Sequence, residues 1–181
     1  MKPLHPFFFA LTLFFGCDDP RTDRVPGSYP DFETAIEVIA TTEDIYEAGE
    51  AAAHLYEGGI PAINALRNHL SDQRVIPSGF CTRSLNQPGQ TMDEQALWSI
   101  QDMIEPQAPK LLAGYYQVLS RETVEQWLDR REDMSITGLQ IEAASTWLSR
   151  AQRDFESSGS PHAQAVIELC QERLNELHSN K

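Results

Sequence analysis

Three side chains able to do chemistry fall within a short span of this sequence: His69, Asp72 and Cys81. A thiol, an imidazole and a carboxylate are the parts of an activated cysteine nucleophile, in which the ring takes the thiol proton and the acid orients the ring. His54, His69 and Cys81 supply nitrogen and sulfur donors of the kind zinc takes. The surroundings argue against both. No signature of a thiol enzyme flanks Cys81, and no pair among the three donors has the spacing of a helix face or a knuckle. Gly-x-Ser-x-Gly elbows, phosphate loops and dinucleotide fingerprints are absent. The sequence therefore assigns no catalytic residue, no metal ligand and no cofactor. An enzyme or small-ligand binder with a pocket near His54, His69 and Cys81 stands as the second reading.

The elements that position these residues are helical. Gly58 and Gly59 stop one helix, and Pro61 starts the next with its φ already fixed. Ile60, Ile63, Leu66 and Leu70 then share a face that must lie against neighbours. Upstream, residues 31–57 are helix-forming with a break at Thr41-Thr42. They carry eight acids (Asp31, Glu33, Glu37, Glu43, Asp44, Glu47, Glu50 and Glu57), and no Lys or Arg lies between Arg24 and Arg67. Their spacing is not that of a calcium loop, so they read as a solvated face.

Residues 73–90 have no period and contain Pro77, Gly79, Pro88 and Gly89. A structureless stretch of that length is uncommon inside a domain unless it has a task. Val75, Ile76, Phe80 and Leu85 give it apolar content, and Arg74 and Arg83 give it charge. These six are the candidate partner-binding residues.

Helix resumes with the capping-box spacing of Thr91 and Glu94, carries Ala96, Leu97, Ile100 and Ile104, and stops at Pro106. Residues 110–119 are ambiguous between a short helix and a strand-like connection. Ser120 precedes a helix with Val124, Trp127 and Leu128; Thr137 and Gln140 have capping-box spacing, with Ile136 and Ile141 spaced as a staple. Leu139, Ala143, Trp147, Ala151 and Phe155 continue that helix. Ser160-Pro161 opens the last, whose Ala163, Ile167, Cys170, Leu174 and Leu177 form a heptad-like seam for its own domain or a second molecule. Trp98, Trp127 and Trp147 lie in these helices, as core or as a ligand groove. The expected fold is all-α: a compact multi-helix domain over residues 31–181.

Pro61-Ala62-Ile63, Leu66, Leu70 and Asp72, followed by Met92, Ala96, Ser99 and Ile100, resemble the two helices of one HEAT-type repeat, in its short bacterial variety. The resemblance spans residues 59–104 and implies a HEAT-like helix pair. Asp93 replaces the family's usual Arg, residues 73–90 stand where the family has a few, and no second copy follows.

Residues 1–17 read as an address. Lys2 gives a positive start, residues 7–15 are apolar, and Gly16-Cys17 follows. The apolar stretch is shorter than the ~20 residues a spanning helix needs. It resembles the leader of bacterial lipoprotein precursors, although Phe14 and Phe15 replace the usual Leu and small residue. The resemblance implies a signal peptide over residues 1–16, a lipid on Cys17 and a cell-envelope location. An ordinary secretory signal or a buried N-terminal helix is the alternative. Residues 17–30, with Pro20, Pro26 and Pro30, form a tether. Asp18, directly after the cysteine, resembles the inner-membrane retention mark of enterobacterial lipoproteins. It places the domain on the periplasmic face of the inner membrane ahead of the outer membrane. With Cys17 lipidated, Cys81 and Cys170 remain, as one disulfide or as two thiols.

The 181-residue chain is long enough for a core, and 41% hydrophobic with 23% charged residues is a globular composition. Its net charge is −13, or −14 once Lys2 leaves with the acid-free leader. That charge repels nucleic acid. The function expected is a lipid-anchored helical protein-interaction module, inhibitor or immunity-like in one version, with an unidentified protein partner.

Overall fold

A computed structural model describes residues 29–82, 88–106 and 116–179, and among them the fold is all-α with seven helices. Asp31 opens α1 (Phe32–Thr41) by accepting the Thr34 amide, and Asp44 opens α2 (Ile45–Glu57) by accepting that of Tyr46. The expected break at Thr41-Thr42 separates them. Gly58 and Gly59 divide α2 from α3 (Gly59–Arg67), and at Gly58 the reason is steric as well as conformational. A Cβ there would sit 2.4 Å from the Phe32 ring and 2.7 Å from Ala62 Cβ, so α1 and α3 approach this closely only over glycine.

The helix α4 (Met92–Ile104) is capped by the expected box of Thr91 and Glu94. It is followed by α5 (Val124–Asp129), α6 (Ile136–Ser158) and α7 (Pro161–Ser179). Ser135, not Thr137, caps α6, accepting the Gly138 amide at 3.1 Å; the staple position therefore falls two residues early, with Met134 packed on the core beside Ile136. Gln140, freed from any capping duty, donates from Nε2 to the Met103 carbonyl and ties α6 to α4. Gly159 adopts φ +64°, closing α6 and turning the chain into α7.

One core gathers α1 to α5 with the first turns of α6. It is built on Ile36, Ile39, Leu55, Ile63, Leu66, Met92, Ile100, Ile104 and Leu139. A second cluster joins the later part of α6 to α7 through Trp147, Ala151, Val166, Ile167 and Cys170, with Tyr116. The heptad-like seam of α7 is thus turned to its own domain, and Trp127 and Trp147 are core. Phe155 is largely outside.

Helix α4 is central, and its burial exceeds what an amphipathic stripe provides. Besides Ala96, Leu97 and Ile100 it buries Asp93, Gln95, Ser99 and Gln101. Each needs a partner in a medium without water. Gln95 Nε2 donates to Ser99 and to Thr82, and Gln101 Nε2 donates to the Leu119 carbonyl at 2.7 Å. Glu105, which follows α4, accepts the amides of Val118 and Leu119 at 2.6 and 2.7 Å and so receives the returning chain.

Candidate functional site

The residues singled out from sequence converge where α3 ends and the 73–90 segment begins. His69 sits between two carboxylates: Nε2 is 2.9 Å from Glu33 Oε2 on α1, and Nδ1 is 3.0 Å from Asp72 Oδ2. Asp72 also accepts Arg74 through its amide, Nε and Nη2. The other edge of the Arg74 guanidinium holds Glu37, one turn beyond Glu33 on α1, at 2.8 and 2.9 Å. Asn68 Nδ2 donates to Glu33. The result is a belt of alternating charge that fastens α1 to the end of α3.

The electrostatics follow the geometry. Arg74 and then His69 hold the Asp72 carboxyl well below the usual range against the opposing effect of burial. His69 lowers Glu33. Burial pushes the His69 ring down, but its two carboxylates together outweigh this and leave it raised.

The 73–90 segment is tied at both ends. Asp93 N donates to Asp72 O, Met92 N to Arg74 O and Ile76 N to Gln90 O, at 2.8, 2.9 and 2.8 Å, with an antiparallel bridge between Val75 and Thr91. Below that bridge lies Asp93, whose side chain is 0% exposed and is paired with Arg121. Thr91 Oγ1, Gln73 Nε2 and the Glu94 amide also donate to it. Burial pushes this carboxyl up, but Thr91, the Glu94 amide and Arg121 together hold it below its ordinary value. Asp93 therefore ties the two ends of the segment together through Gln73 and Thr91.

The candidate partner-binding residues separate here. Ile76 is 1% exposed and belongs to the main core, and Phe80 packs against that core, with Cε2 3.6 Å from where a Gly49 Cβ would stand. Arg74 is committed to Asp72 and Glu37. Val75, at 54%, is exposed. Arg83 and Leu85 lie outside the described residues, as does Cys17. The described part of the segment is thus folded onto the domain, with Ile76 and Phe80 turned to its core. Their side chains found apolar surface on α2 and in the core, where burial stabilises them without a partner.

Cys81 and Cys170 are both buried and are not joined to each other. Cys170 belongs to the α6–α7 cluster, where burial pushes its thiol up to about 11. The triad reading meets His69 beside Asp72 as drawn, but the nitrogen that would face a thiol is occupied by Glu33. His54 packs its ring on Tyr29 and Phe32, at centroid distances of 5.6 and 5.2 Å. Among the described residues no three His, Cys, Asp or Glu side chains gather as a metal site.

No family model, no curated protein and no solved structure matches this chain. The site is therefore described by its own geometry.

Two features had no signal in the sequence. A cavity of about 300 Å³ opens between the end of α4 and α6–α7, lined by Met103, Pro106 and Leu169 with Asp102, Gln140 and Glu172 among its polar groups. Tyr56 of α2 turns its hydroxyl to Asp102, one of the lining residues, at 3.3 Å; burial of the hydroxyl and that carboxylate raise it well above the usual phenol range. Both join residues far apart in the chain through helices whose mutual placement no local pattern states.

Proposed function

We propose that this chain is a lipid-anchored cell-envelope protein whose helical domain is a protein-interaction module, acting as an inhibitor or immunity-like factor in one version. The HEAT-like pattern of α3 and α4 is the framework of that module. The contact surface we assign is the acidic face of α1 and α2, since Ile76, Phe80 and Arg74 are committed within the domain.

The observation that carries this reading is Tyr46. It stands 67% exposed in the first turn of α2, with Glu50 one turn along and Glu43 and Glu47 beside it in sequence. A large exposed aromatic ring supplies contact area at low entropic cost, and surrounding carboxylates select a basic partner and speed its approach. Gly16-Cys17 supports the anchor, and Asp18 the inner membrane. No helix among the described residues is long and apolar enough to cross a membrane, so attachment would rest on the lipid.

Two measurements test the proposal. Cys17→Ser should leave the protein soluble or unprocessed in fractionated cells; equal membrane partition of wild type and variant counts against the anchor. Pull-downs from detergent-solubilised envelopes should recover a partner with wild type and with Glu168→Lys on α7, but lose it with Tyr46→Ala or Glu50→Lys. Undiminished capture by the α2 variants places the contact elsewhere.

A further inference from the structure

The placement of His69 constrains its protonation state. Carboxylate oxygens face both ring nitrogens within hydrogen-bonding distance, at 2.9 and 3.0 Å. An ionised carboxylate only accepts, and a neutral imidazole has a single N–H to donate. Both contacts are hydrogen bonds together only when the ring carries both protons. Remove one, and a nitrogen lone pair confronts an anion.

Which contact then fails is set by the neighbours. Asp72 is three residues from His69 and keeps the Arg74 amide, Nε and Nη2 as donors whatever the ring does. Glu33 is on a different helix, is more than half exposed, and among the described residues has otherwise only Asn68, at 3.2 Å. Water can receive Glu33 readily, so that contact opens.

We propose that His69 is a proton-operated latch: doubly protonated, it bridges Glu33 of α1 to Asp72 at the base of the 73–90 segment, and on losing one proton it releases Glu33. The charged groups around it are Glu33 and Glu37 on α1, with Asp31 acting on Glu33, and Asp72 and Arg74 after α3. Arg74 to Glu37 is a second link, one turn further along α1 and made without His69, so release loosens the first half of α1 and does not unfold the domain. The burial of His69, 16% exposed at its side chain, keeps water from substituting for either carboxylate while the latch is closed. The latch is independent of any partner, although it holds one edge of the acidic face.

The test uses the full chain. Nitrogen-detected NMR of the wild type at pH 6 should show both His69 ring nitrogens protonated, with a midpoint above the ~6.5 of an unperturbed histidine. Glu33→Gln should bring that midpoint down. Amide-exchange protection in α1 should fall as pH rises through the midpoint, while that of α6 and α7 holds. A denaturation double-mutant cycle of Glu33→Gln with His69→Gln should show coupling at pH 6 that is lost at pH 9. A neutral His69 tautomer in the wild type at pH 6 would overturn the proposal even if every variant failed to fold. So would coupling that is equal at the two pH values, or α1 protection that ignores the midpoint.

Discussion

The amide of Asp93 donates to the carbonyl of Asp72 at 2.8 Å, bringing together the last residue of the α3 turn and the second of the next helical run. Everything between them is an excursion from an α3–α4 connection that is already closed at its base. Closing a loop costs entropy that grows only slowly with its length, so an excursion of this size is tolerable once its ends are pinned. Packing Ile76, Phe80 and Cys81 inward then offsets the cost of ordering the chain.

Ile76 and its neighbour Val75 test that account directly. Ile76 is in the core, so Ile76→Ala should destabilise by about 2–4 kcal/mol through lost burial and a residual cavity. Val75→Ala, on the exposed side of the bridge, should stay within roughly 0.5 kcal/mol. Equilibrium unfolding in urea measures both. Equal effects would mean that the segment is not packed as described.

Asp93 should matter more than the arginine it meets. Asp93→Ala leaves Thr91, Gln73 and the Glu94 amide without their shared acceptor, and a loss of about 3 kcal/mol is expected. Arg121 is half in water, so Arg121→Gln should cost nearer ~1 kcal/mol, the remaining donors still holding the carboxylate. The reverse order would make the ion pair, and not the hydrogen-bonded cradle, the stabilising feature.

Acid should unfold this protein by an identifiable route. Glu33, Asp72 and Asp93 all have carboxyls depressed in the folded state. A depressed group contributes stability that is present above its unfolded value, near ~4, and is lost as pH falls through the folded one. The urea midpoint should therefore drop steeply below about pH 4. Asp72→Asn should reduce the steepness of that limb, and an unchanged limb would show that Asp72 does not carry it.

Neither thiol should be reachable in the folded protein. Cys81 and Cys170 are buried, and the Cys170 thiol, raised to about 11, is almost wholly uncharged at neutral pH. A thiol reagent should modify both slowly in buffer and rapidly in denaturant, and the unreduced mass should show no 81–170 crosslink. Fast labelling of Cys170 in the native state would contradict its place between α6 and α7.

Local chemistry was enough to mark the elements. Thr91 and Ser160 announce helix starts because a cap acts within three residues of itself, and Gly58, Gly59 and Gly159 announce stops because their backbone freedom is a property of the residue alone. Periodicity placed Ile63, Leu66, Ile100 and Trp147 inside for the same reason: a helix's buried stripe is written along its own sequence. Thr137 misled because Ser135 competes for the same first turn, a choice made by Met134 reaching the core. Tertiary structure alone decided which polar residues go inside. Gln95, Gln101 and Asp93 look like solvated positions until Thr82, Leu119 and Arg121 arrive from elsewhere as partners for the Gln95 amide, the Gln101 Nε2 and the Asp93 carboxylate. It likewise turned His69 and Asp72, a possible catalytic pair for Cys81, and Arg74, a candidate partner contact, into a clamp on α1, because Glu33 and Glu37 are long-range neighbours whose approach follows from how α1 and α3 cross over Gly58. Charge and hydrogen-bonding capacity belong to the residue, but their partners are fixed only when the helices pack.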